Sequence, residues 1–170
     1  MLRKICIISF CVVLLSNLSG CRDANLIKSS YEAADTLISQ VKPPLIPHQA
    51  VLMASFVNID NLEESSTFGR SIAEYIGTRF TQNGYKVIEM KLRKSIFMKR
   101  GAGEFLLSRD LKLISTRHNA QAIVVGTYSV AKSVIYVSAR IIKLSDSSIL
   151  SAHAYKLPLG KNARKMLGIY

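Results

Sequence analysis

Residues 49–57 read Gln-Ala-Val-Leu-Met-Ala-Ser-Phe-Val, and this run indicates the fold class. Its residues are almost continuously apolar rather than alternating, so both faces of the segment are expected to be covered. Such runs are typical of a central strand in a sheet that is flanked on both faces. Segment 58–61 (Asn-Ile-Asp-Asn) follows with residues that favour turns. The stretch therefore predicts the central strand of an α/β domain.

A helix is predicted next, from the hydroxyl residues at 65–67 to about Asn83. The hydroxyls can cap its start, and Gly84 can end it. Its apolar stripe consists of Phe68, Ile72, Ile76 and Phe80. A ridge of small residues lies beside the stripe, formed by Gly69, Ala73 and Gly77. Because glycine in a helix costs about 1 kcal/mol relative to alanine, we expect the ridge to allow a close approach to another backbone, in the domain's own sheet or in another molecule.

The remaining segments complete one domain. A second strand is predicted at 85–92 and a helix at 109–118, with a basic linker containing Gly101 and Gly103 between them. Three alternating segments with short polar turns predict an antiparallel meander over 121–130, 132–144 and 148–157. The order β-α-β-α-β-β-β predicts an α/β fold: a single small domain with a five-stranded mixed sheet.

The chain begins with the pattern of an exported lipoprotein. Arg3 and Lys4 precede an apolar run over 5–15. That run is too short to span a bilayer, which takes roughly 20 apolar residues. The run is followed by Leu18-Ser19-Gly20-Cys21, which has the form of a lipobox whose cysteine carries the lipid and becomes the first mature residue. The alternatives are an N-terminal membrane helix or a signal peptide cleaved elsewhere.

An amphipathic helix is predicted over 27–41 from apolar residues at helical spacing, and Pro43-Pro44 ends it. It could pack on its own domain or dock on a partner. Since Cys21 would be the only mature cysteine, the exported domain folds without a disulfide. The chain is thus divided into a signal peptide (1–20), a lipidated tether with a helix (21–48), the α/β domain (49–157) and a basic tail (158–170).

The chain is strongly basic, with a formal net charge of +12. The signal peptide holds two basic residues and no acidic one, so the mature chain keeps about +10. Export argues against nucleic acid as the partner. The expected acidic neighbours are lipid headgroups, cell-wall carboxylates or an acidic protein face. A solvated basic surface without a specific partner is the other interpretation.

Residues suited to catalysis are sparse. His48, His118 and His153 are far apart in the sequence and have no mature cysteine beside them, so a metal site is not indicated. Gly101-x-Gly103 lacks the third glycine of a dinucleotide-binding loop. The few acidic residues form no close pair suited to glycosidic chemistry. We therefore expect neither an enzyme nor a cofactor.

Several short motifs occur in order between residues 49 and 157. They are Val57-x-x-x-x-Leu62, Gly69-Arg70-x-x-Ala73-Glu74, Gly84-Tyr85-x-Val87-x-Glu89, Gly103-Glu104-Phe105-x-Leu107-Ser108-Arg109-Asp110, Val125-Gly126-Thr127-Tyr128-Ser129 and Val137-x-Ala139-Arg140. Together they resemble the FlgO family of outer-membrane lipoproteins. The resemblance implies a fold akin to TolB N-terminal domains and to CsgG-like and LpoB-like lipoproteins, and it brings no catalytic residues.

The same resemblance implies a role in flagellar motility. A protein of this family would help to build an outer-membrane-associated ring (H ring) around the flagellar motor, associating with itself and with partners of the FlgP and FlgT types. Arg22, in place of an aspartate after Cys21, looks like an outer-membrane sorting signal. The expected location is the periplasmic side of the outer membrane of a Gram-negative bacterium.

A candidate partner surface is predicted on the meander, because two crossover helices cannot cover both faces of a five-stranded sheet. Alternation places Tyr136 and Arg140 on the same face of their strand. If Tyr128 and Tyr155 shared that face, it would be aromatic and basic, which is typical of protein-binding surfaces. The alternative is that neighbouring loops cover these tyrosines.

The sequence therefore favours a non-catalytic structural or assembly component of the flagellar ring. A second hypothesis is a binding module that regulates a periplasmic partner such as a cell-wall synthase. A third is a secretion or assembly factor of the CsgG kind.

Overall fold

The computed structural model describes residues 23–62, 65–90 and 109–169, with the backbone only for 109–113. The basic linker at 91–108, including Gly101 and Gly103, lies outside these ranges. The helices are α1 (Leu26–Gln40), α2 (Thr67–Gln82), α3 (Arg109–His118) and α4 (Lys161–Leu167). The strands are β1 (Ala50–Ala54), β2 (Val57–Asn58), β3 (Val87–Met90), β4 (Ala120–Val130), β5 (Val134–Lys143) and β6 (Ile149–Pro158).

These strands form one mixed sheet in the order β3-β1-β4-β5-β6. Strand β1 is parallel to both β3 and β4, whereas β4, β5 and β6 form an antiparallel meander. The predicted mixed α/β domain is confirmed. The sheet has six strands rather than five, because β2 pairs separately with β4.

The sixth strand results from a break in the predicted strand 49–57. At Phe56 the backbone N–H donates to the carbonyl oxygen of Gly69 at 3.2 Å instead of joining a ladder. The Phe56 ring is fully buried and lies where a side chain at Gly126 would otherwise project. The strand therefore ends at Ala54 and pairing resumes at Val57.

Two hydrophobic cores lie on opposite faces of the sheet. The larger core is formed with α1, α2 and α4, and it includes Leu37, Phe68 and Ala163. The smaller core lies on the other face, where Ile114 of α3 packs beside Leu52 and Ile123. Both faces of β1 are therefore covered, as its continuous apolar sequence predicts.

Helices α1 and α2 are joined by a charged pair as well as by apolar contacts. The Arg79 guanidinium donates Nε to Asp35 Oδ1 at 2.8 Å and Nη2 to Oδ2 at 2.9 Å. These bonds hold the pKa of the Asp35 carboxyl below its usual value. Ala33, Ala34 and Leu37 of α1 are fully buried. Of the two alternatives for the first helix, packing on its own domain is the one observed.

The predicted basic tail at 158–170 is corrected by the structure. Strand β6 extends to Pro158, and α4 begins at Lys161. Helix α4 buries Ala163 and packs Met166 and Leu167 against the larger core. The sequence did not indicate this helix, because charged residues separate its few apolar positions and the helix is only two turns long.

Candidate protein-binding face of the meander

One face of the meander is defined by the pairing of β4, β5 and β6. Residues directly opposite each other in an antiparallel pair project from the same face of the sheet. Three cross-strand rows therefore share a face, and we call them the meander face: Ser129–Tyr136–Lys156, Thr127–Ser138–Ala154 and Val125–Arg140–Ala152.

The centre of the meander face is a shallow trough. Its middle row has short side chains, while Tyr136 at one side is 54% exposed. The trough has a volume of about 390 Å³, and Ile59 from the loop after β2 contributes to its rim. Among the described helices, only α3 packs on this side of the sheet, and it does so near β1 and the beginning of β4. The described elements thus leave the trough open.

The rows of the meander face contain two basic residues. Arg140 and Lys156 belong to its rows, and the rows include no acidic residue. Tyrosine and arginine are enriched at the centres of protein interfaces, whereas lysine is more often found at their rims. Tyr136 and Lys156 line the trough, and Arg140 lies on the same face one row beyond Ser138. An open trough beside an exposed tyrosine and a lysine therefore suits an apolar ridge of a protein segment with a carboxylate at its edge.

Tyr128 and Tyr155 do not belong to this face, contrary to expectation. Both are paired with Val137, whose side chain lies in the larger core. Tyr128 is 3% exposed, meets Phe68 edge to face at 5.3 Å, and donates its hydroxyl to Ser66 Oγ at 2.7 Å. Alternation within β5 does not reveal which residues of β4 and β6 lie opposite its own residues. The predicted surface of four residues therefore keeps only Tyr136 and Arg140.

The Tyr155 hydroxyl is buried, and burial raises its pKa to about 12. The Ser30 hydroxyl on α1 acts in the opposite direction and lowers this pKa. Neither hydroxyl has a partner with good hydrogen-bond geometry among the described residues. A buried hydroxyl that has lost water without gaining a partner destabilises the folded state.

We therefore expect Tyr155→Phe to raise the free energy of unfolding by about 1 kcal/mol. The matched control is Tyr128→Phe on the same face, which removes a satisfied hydrogen bond and should lower stability by about 1 kcal/mol. Urea unfolding followed by circular dichroism measures both. A loss of stability in both variants would mean that the Tyr155 hydroxyl does have a hydrogen-bond partner in the folded protein.

The lipobox residues Leu18, Ser19, Gly20 and Cys21 lie outside the described residues. In the part of the chain that is described, no helix is long and apolar enough to cross a membrane. Nor do three His, Cys, Asp or Glu side chains there stand close enough together to hold a metal ion.

The model of a protein family described as "FlgO protein" matches residues 31–162, which is most of the chain. The chain belongs to the FlgO family. Membership supports a lipoprotein-type module related to flagella and motility. The match extends on both sides of the predicted domain 49–157, because it includes most of α1 and the start of α4.

Solved structures similar to this FlgO-family chain include the LpoB C-terminal domain from Salmonella enterica. That comparison has a TM-score of 0.55 and 8% sequence identity, and it covers 78% of this chain and 97% of the other. The NMR structure of E. coli LpoB gives a TM-score of 0.52 at 9% identity, covering 83% of this chain and 71% of the other. These likenesses confirm the LpoB-like fold. A comparison with curated proteins found no match.

Proposed function

We propose that this chain is a lipid-anchored, non-catalytic protein of the outer membrane that forms part of the flagellar outer-membrane-associated ring and is required for motility. The observation that carries the proposal is the FlgO family match over residues 31–162. The lipobox at 18–21 supplies the anchor. The partners are further copies of the chain and ring proteins of the FlgP and FlgT types.

The meander face is the proposed contact with those partners. Tyr136 is more than half exposed, and Arg140 projects from the same face of β5. A rigid aromatic side chain beside a trough of small residues can bury a large area with little loss of side-chain entropy. Because the floor of the trough is formed by paired strands, that floor is ordered before a partner binds.

The alternative is a regulator that reaches a distant periplasmic partner such as a cell-wall synthase. Only four residues separate Cys21 from the start of α1. Four extended residues span at most about 14 Å, so the domain stays close to the membrane that holds the lipid. This favours a ring subunit over a module with a long reach.

The double variant Tyr136→Ala with Arg140→Glu tests this proposal. It should weaken binding to ring partners at least about tenfold and abolish swimming. Tyr136→Ala alone should keep the melting temperature within about 2 °C, because Tyr136 is 54% exposed, and thermal unfolding of the double variant must show a folded domain. Co-purification from cells, motility in soft agar and thermal unfolding are the measurements, and imaging of basal bodies from a deletion strain supplies the reference for a missing ring.

The control for this experiment is Lys86→Glu, an exposed charge reversal beside the opposite edge strand, β3. It should leave swimming and co-purification intact. Normal motility in the double variant would remove the meander face from the proposal, and an intact ring in the deletion strain would overturn the ring function itself.

A further inference from the structure

The start of the described chain is bound to the C-terminal helix. The Asp23 carboxylate accepts two hydrogen bonds from Asn162, one from the backbone N–H at 3.1 Å and one from Nδ2 at 2.9 Å. Asp23 thereby caps α4, whose own N-cap residue, Gly160, has no side chain that could do so. Gly160 is packed so closely on Asp23 that a Cβ there would overlap with it. Residue 23 is thus fixed to the folded domain.

The turn between β4 and β5 lies at the same end of the domain. The Leu159 N–H donates to the Ser133 carbonyl at 2.9 Å, which joins the end of β6 to this turn. Helix α1 begins here and ends at the other end of β6, where the Ser151 hydroxyl donates to the Gln40 side chain at 3.1 Å. We call residues 23–27, 131–133 and 159–165 the anchor end.

The surface of the anchor end is basic. Lys132, Lys161 and Lys165 are exposed, and Arg164 is partly exposed. Within its three ranges the acidic residue is Asp23, whose carboxylate is occupied by Asn162. Ile27, in the first turn of α1, is 49% exposed. Exposed lysines and an exposed apolar side chain at one end of a domain suit a surface of anionic headgroups over hydrocarbon.

We propose that the anchor end binds anionic lipid headgroups of the leaflet that holds the Cys21 lipid, as a second attachment to the membrane. This inference rests on the proposed lipid anchor. Asp23 is two residues from Cys21, a distance of at most about 7 Å, which is less than the Debye length of about 8 Å at physiological ionic strength. Lys161 adjoins Asn162, which is bound to Asp23, and is therefore held where headgroup charge is felt. Lys132 and Lys165 belong to the same end of the domain. An acidic protein would have to enter between the domain and the bilayer, and so the observations favour the membrane.

Two attachments would hold the domain at the membrane more firmly than one. Each lysine close to an anionic surface strengthens partitioning by about fivefold. Three lysines acting together thus correspond to about a hundredfold. The contribution is electrostatic, so it should weaken as the salt concentration rises.

The test uses the chain from residue 21 onward, with Cys21→Ser so that no lipid is attached, which retains every described residue. This protein should sediment with vesicles of phosphatidylethanolamine and phosphatidylglycerol but not with vesicles of phosphatidylcholine alone. The triple variant Lys132→Gln, Lys161→Gln and Lys165→Gln should reduce partitioning about a hundredfold. Circular dichroism should show the same melting curve for both.

A matched control removes three exposed charges at the opposite end of the sheet, by Lys42→Gln, Lys86→Gln and Arg117→Gln. It should partition within about twofold of the unsubstituted chain, because those charges lie beyond the Debye length. Equal losses in the two triple variants would show that overall charge, rather than the anchor end, drives binding, and would overturn the inference. Equal binding to anionic and to neutral vesicles would also overturn the inference. The assay involves neither lipidation nor motility, so its failure is distinguishable from a failure of the proposed function.

Discussion

Gly69→Ala is expected to lower the free energy of unfolding by about 3 kcal/mol. A Cβ at this position would overlap with the backbone carbonyl of Phe56. That backbone cannot easily withdraw, because the Phe56 N–H is bound to the Gly69 carbonyl and the Phe56 ring is buried against Gly126. The start of α2 would have to move away from the sheet. Urea unfolding of the purified domain measures the loss.

The same helix provides the control, Gly77→Ala. Here the nearest atoms to an added Cβ are side-chain carbons of Met53 and Val87 at 3.6 Å, an ordinary contact distance. Because alanine favours a helix over glycine, this variant should gain up to about 1 kcal/mol. A loss of stability in Gly69→Ala and a gain in Gly77→Ala would show that the close backbone approach, and not helix propensity, determines the effect at Gly69. If both variants were more stable than the unsubstituted protein, the fold would not depend on the close contact between Gly69 and the Phe56 backbone.

Cys21→Ser is expected to remove essentially all of the protein from the outer-membrane fraction and to abolish swimming. Each buried methylene of a lipid chain contributes about 0.8 kcal/mol to membrane attachment, so losing the chains far outweighs the electrostatic attachment of the anchor end. The melting temperature should not change, since residue 21 precedes α1. Metabolic labelling with radioactive palmitate and cell fractionation are the measurements.

Cys11→Ser is the matched control, because it replaces a cysteine within the apolar run of the signal peptide. It should keep the palmitate label and the outer-membrane location. If Cys21→Ser still fractionates with the outer membrane and supports swimming, the lipid anchor proposed for this chain does not exist. Label incorporated equally in both variants would place the lipid elsewhere.

Much of the fold could be predicted because its signals are local. Consecutive apolar residues indicated that β1 is covered on both faces, and a hydroxyl at Ser66 with Gly84 beyond the last turn marked the ends of α2. The break at Phe56 could not be predicted. It depends on Gly69 and Gly126, which are distant in sequence and reach Phe56 only in the folded sheet.

The candidate site was predictable in part for the same reason. Alternation along β5 placed Tyr136 and Arg140 together, since that depends on one strand only. Tyr128 and Tyr155 required the register between strands, which no local pattern contains, and that register turns both toward the core. Lys156 was not singled out, although the register places it directly beside Tyr136.

Helix α1 runs along the length of β6, bound at one end through Asp23 and Asn162 and at the other through Gln40 and Ser151. This arrangement has a mechanical consequence. If the lipid is pulled away from a neighbour held at the meander face, the tension acts along the axis of α1 and shears it against β6 and α2. Contacts along the whole helix then resist the pull together, whereas a helix peeled from one end would lose them one at a time. This resistance is what the proposed ring subunit would need in order to keep its position under load.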